Sequence, residues 1–165
     1  MESPDAQGLN GELADHRTGS RHQNCVCGLS IGDRFVLWAL RQWLVDRALP
    51  MEGSILHRGF KTAGLLDALP DFAIAMDAFL FGTRRALQVH RPPCSAVSAD
   101  EATLVTLCCL AQANLDKQLM ASLDALMMPG AARVAAVRLK AFTGALSGAG
   151  LALWPSVDAG AGRLN

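Results

Sequence analysis

At 165 residues the chain is long enough for one domain with a sizeable core and too short to expect two. Hydrophobic residues make up 51% and charged residues 18%, with 5% aromatics and no Tyr, so most of the chain must be packed and a β-rich fold is disfavoured. Fifteen basic and fifteen acidic residues give a formal net charge of zero, which excludes a global basic excess for nucleic acid or an anionic membrane and leaves little repulsion between copies.

The five cysteines are an odd number and follow no secreted disulfide framework. Met1-Glu2-Ser3-Pro4-Asp5 lacks the basic and apolar regions of a signal peptide. A reducing cytoplasm with free thiols is the expectation. The longest apolar stretch, Ala102 to Ala113, is interrupted by Thr103, Thr106 and Gln112 and is too short to span a membrane.

Residues 1–29 read as a disordered arm, broken by Gly8, Gly11, Gly19 and Asn24 and poor in large apolar side chains. A helical domain is expected over 30–154. Ser30 and Asp33 start its first helix, which runs from Phe35 to about Leu49 and stops at Pro50. Trp38 and Trp43 point about 140° apart on that helix. A helix apolar on several sides is central or covered by a partner, so Trp38 and Trp43 are candidate interaction residues.

Ser54 caps a second helix, with Leu56, Phe60 and Ala63 inward and His57, Arg58 and Lys61 outward; Gly59 and Gly64 weaken it. A third helix starts near Pro70 and carries Phe72, Met76, Phe79, Leu80 and Leu87, with Arg84 and Arg85 favourable at its C-terminal dipole. Pro92-Pro93 breaks the chain. Ser98-Ala99-Asp100-Glu101 is a full capping box opening a nearly all-apolar fourth helix, which belongs at the centre.

Asn114 is expected to cap a fifth helix with Leu115, Leu119, Leu123 and Leu126 on one stripe. Pro129-Gly130 separates it from a sixth, about Ala131 to Ala149, with Ala135, Leu139, Phe142 and Leu146 inward. Gly144 and Gly148, four apart, allow a neighbouring backbone close, and Gly150 terminates the helix. Leu151, Leu153 and Trp154 fold back onto the core, and 155–165 is a flexible tail. The fold class is therefore all-α: a single bundle of about six helices.

Chemistry-bearing signals are weak. His22 with Cys25 and Cys27 offers soft-metal ligand types, but the cysteines are one residue apart and no second pair matches them; two incidental thiols are the simpler reading. The first place to look for a ligand site is 84–101. Arg84, Arg85, His90 and Arg91 gather cations near Cys94 and a helix start, an arrangement suited to an anion or a lowered thiol pKa. His90 and Cys94 also match a shared metal with Cys108 or Cys109. Against this, Asp100 and Glu101 occupy the helix start, and a Pro-Pro linker needs no other purpose than connection.

Adjacent Cys108 and Cys109 face about 100° apart, cannot pair, and read as small core residues. Asp77 reads as an exposed-face residue, and no acid on an apolar face marks a buried acid/base pair. GxGxxG, Walker, GxSxG, HExxH and di-iron Glu-x-x-His patterns are all missing. The Ala and Leu richness resembles helical proteins of high-GC bacteria and implies no residue role. The expected function is a non-catalytic interaction or regulatory protein, self-associating, with no catalytic residue, resident metal or cofactor. The alternative is a small-ligand, metal or thiol-redox protein using 84–101.

Overall fold

The computed structural model describes residues 25–154 apart from 49 and 51. The expected disorder of 1–24 and of the 155–165 tail, and the first helix's end at Leu49, lie outside the described residues. Six α-helices follow in chain order: α1 Ile31–Asp46, α2 Ile55–Thr62, α3 Leu69–Gly82, α4 Ala99–Gln112, α5 Asp116–Leu126 and α6 Pro129–Gly148. The described residues form an all-α bundle with only isolated bridges and no strand.

Local signals set most helix starts. Ser30, Ser54 and Ser98 each accept from the backbone N–H three residues on, and Ser98 and Glu101 form both halves of the capping box. The proline at the break before α6 becomes its first residue, where the missing N–H costs nothing. The helix ends past Ala149 at Gly150, whose φ of +75° suits glycine.

Helix α6 lies against α3, α4 and α5, while α1 packs on α2, α3 and α4. Phe60, Phe72 and Phe142 form the middle of the core, with ring centroids 5.1 to 6.1 Å apart. Phe35 extends this cluster to Trp38. Gly59 is part of that packing, because a Cβ there would collide with the Trp38 ring. Gly82 likewise lets α3 approach Ala131 of α6.

Several expectations change. Residues 25–28, placed in the arm, are ordered against the chain at 95–96: Val26–Gly28 form a short 3-10 turn, Val26 N donates to Ser95 O at 3.0 Å, and Cys25 bridges Ala96. Helix α3 stops at Gly82, so Leu87, Arg84 and Arg85 lie beyond it and none serves its dipole. Its end is pinned where Met128 N donates to Gly82 O and Arg84 N to Leu126 O.

Asn114 is not a cap: its φ of +56° turns the chain after α4, and Leu115 precedes α5. Among the described residues nothing lies within 4 Å of where a Cβ would sit on Gly144 or Gly148. The C-terminal segment does fold back through Leu153, held by Gln112, which accepts from Leu153 N at 2.8 Å and donates to Leu151 O at 3.1 Å. Trp154 stays exposed.

Candidate functional site

The segment 83–98 is non-helical, bent at 84–85 and turned at 92–93, and two carboxylates at the start of α4 hold it in place. Asp100 takes both guanidinium nitrogens of Arg85 and also Gln88 N at 2.7 Å. Glu101 takes Ser98 N, His90 N at 2.9 Å and Arg41 at two points, 2.7 and 2.9 Å; His90 Nδ1 lies 3.1 Å from its second oxygen. Arg41 also donates to the carbonyls of Cys94 and Ala96. Arg41 is 5% exposed and Glu101 not at all, which makes this a buried, bidentate ion pair.

Charge follows geometry. The Arg85 hydrogen bonds hold the Asp100 carboxyl below its ordinary range, against burial and with help from Gln88 N–H. Burial pushes Glu101 up, but Arg41 and the N–H groups of Ser98 and His90 outweigh it and leave the carboxyl lowered. Burial raises both α4 thiols, Cys109 to about 12. Cys25 is lowered by the hydrogen bonds it receives from Cys27.

The expected ligand residues are thus divided. Arg85 and His90 are engaged by Asp100 and Glu101, whereas Arg84 and Arg91 are exposed. Cys94 contributes its carbonyl to Arg41. The carboxylates of Asp100 and Glu101 take up the nearby cations and the N–H groups of Gln88, His90 and Ser98, and their charge opposes an anion at the α4 start. Among the described residues no cluster of three or more His, Cys, Asp and Glu is placed to hold a metal, so His90, Cys94, Cys108 and Cys109 do not come together as a ligand set. Buried acids are present after all: Asp33 and Asp46 join Asp100 and Glu101, and Asp46 bridges Gln42 to the N–H of Leu56 in α2. Among the described residues every buried side-chain nitrogen and oxygen has a partner. The network is a fastener that leaves no buried polar atom unpaired among the described residues.

Trp43, expected on an interaction surface, is 5% exposed and packs inward, with Arg47 over its ring; Trp38 is half-buried against Phe35 and Gly59. The exposed apolar surface lies elsewhere. Ile74 and Phe81 of α3 flank a shallow groove with Met128 and with Val134 of α6, and Phe81 is 77% exposed. Asp77 sits on the α3 side of this groove. Arg133 is exposed on α6, one turn from Gly130 and Val137. Neither charge has an ion-pair partner among the described residues.

A second apolar feature is a cleft of about 180 Å³ between α1, α3 and the extended segment. Sequence reasoning missed both Arg41 and this cleft. The one available signal was the apolar–polar alternation Leu87-Gln88-Val89-His90, which is that of an extended chain. Among the described residues no helix is long and apolar enough to cross a membrane. Comparison with protein-family models, curated proteins and solved structures finds no match.

Proposed function

We propose that the chain is a non-catalytic interaction module that pairs with a second copy of itself through the outer faces of α3 and α6. The observation that carries this reading is the apolar groove of Ile74, Phe81, Met128 and Val134, with Asp77 in its lining and Arg133 beside Val134, neither in an ion pair among the described residues. Contiguous exposed apolar side chains rimmed by polar residues are the kind of surface at which proteins associate. A two-fold arrangement brings the same patch of each copy together, so Asp77 of one meets Arg133 of the other, and the reverse. The zero net charge adds no long-range repulsion.

Sedimentation of the full chain tests this. The expected result is a dimer that Phe81→Asp converts to a monomer with unchanged helical signal. Asp77→Arg and Arg133→Asp each weaken the dimer, and the two together restore it. A chain that stays monomeric at its solubility limit overturns the reading.

A further inference from the structure

We infer that the cleft beneath the extended segment is a binding site for a small, uncharged, apolar molecule, of roughly the size of a xylene. Three walls form it over Leu104 of α4. Leu40, Trp43 and Leu44 come from α1, and Met76, Phe79 and Leu80 from α3, each set spaced i, i+3, i+4 on its helix. The third wall is chain that has left helical form, with Ala86, Leu87 and Val89 lining the cleft. The opening exists because α3 is pinned at Gly82 and the returning segment is fastened to Asp100 and Glu101. Leu87 and Val89, two apart in extended chain, reach in together, whereas Ala86 is too small to complete the wall.

Volume and lining choose the ligand. The cleft matches the size of an apolar protein cavity, about 150 Å³, that stays dry and accepts benzene. No charged side chain lines it; its polar side-chain groups are the indole N–H of Trp43 and the hydroxyl of Thr83, which donates to Phe79 O at 2.9 Å. A charged ligand would lose its hydration with no partner in return. Water has few partners there, whereas an apolar ligand gains dispersion contacts on three sides.

The test is titration of the full chain with p-xylene, following methionine methyl resonances. The expected result is a saturable shift at Met76, with Met120, Met127 and Met128 unmoved, and no shift from hexanoate. Ala86→Leu, which fills the third wall, weakens binding by about tenfold or more. Leu44→Phe, on the opposite wall, serves if that variant does not fold. No saturable shift at Met76, equal shifts at all four methyls, equal binding of hexanoate, or full affinity in a folded filled variant would each overturn the proposal.

Discussion

Arg41 of α1 and Glu101 of α4, 60 residues apart in the chain, meet in a two-point ion pair at 2.7 and 2.9 Å. The pair also gathers the carbonyls of Cys94 and Ala96 and the N–H groups of His90 and Ser98, so two side chains fix α1, α4 and the extended segment together. Losing one partner leaves a buried charge and orphaned backbone groups. Glu101→Gln is therefore expected to cost about 3 kcal/mol or more, read from urea unfolding. A loss below about 1 kcal/mol, typical of surface pairs, would contradict this role.

Acid should release the same segment. Asp100 and Glu101 are both held below their ordinary values of 3.8 and 4.5, so the native state binds fewer protons than the unfolded chain in that range. Their contribution is fully present above the unfolded values and is lost as pH falls through the lower folded ones. Unfolding midpoints are expected to be level above about pH 5 for these two groups and to fall below it. Asp100→Asn should flatten part of that acid limb, as should Arg85→Ala, which removes the main cause of the Asp100 shift. Superimposable acid limbs in all three proteins would count against the assignment.

Two glycines should respond in opposite directions. Gly59 is covered by Trp38, so Gly59→Ala forces a methyl into the indole and is expected to destabilise by about 1–3 kcal/mol despite its better helix propensity. Gly144 in α6 faces open space, so Gly144→Ala should stabilise by about 0.5–1 kcal/mol. Thermal unfolding of the two variants side by side reads both signs. A stabilised Gly59→Ala would mean that Trp38 does not pack there.

What was legible in the sequence was what neighbours in the chain decide. Ser30, Ser54 and Ser98 declare helix starts because a cap acts over three residues. The inward faces of α4 and α6 show in their apolar spacing. Glu101 illustrates the limit: its capping role is written in Ser98-Ala99-Asp100-Glu101, but its bond to Arg41 arises only when α1 and α4 pack. The extended segment was misread because Leu87 continues the helical spacing of Phe79 and Leu80, and tertiary hydrogen bonds at Gly82 and Asp100 override that continuation. Asn114 looked like a cap because Asn favours caps, yet it also tolerates the left-handed turn found here. The apolar groove and cleft depend on which side chains remain uncovered after packing, and no local pattern encodes that.

Thiol chemistry separates the same core from its edge. Cys108 and Cys109 are buried in α4, and burial raises both thiols, so at neutral pH neither holds much of the reactive thiolate. Cys27 is exposed, and Cys25 and Cys94 are partly so; Cys25 is further favoured by the hydrogen bonds from Cys27 that lower it. A brief N-ethylmaleimide pulse at pH 7, mapped by mass spectrometry, should label Cys25, Cys27 and Cys94 and spare Cys108 and Cys109. In urea beyond the unfolding midpoint all five should react, because desolvation is the first cause of both α4 shifts and unfolding removes it. Native labelling of Cys108 at the rate of Cys27 would mean that α4 is not the covered centre of the bundle.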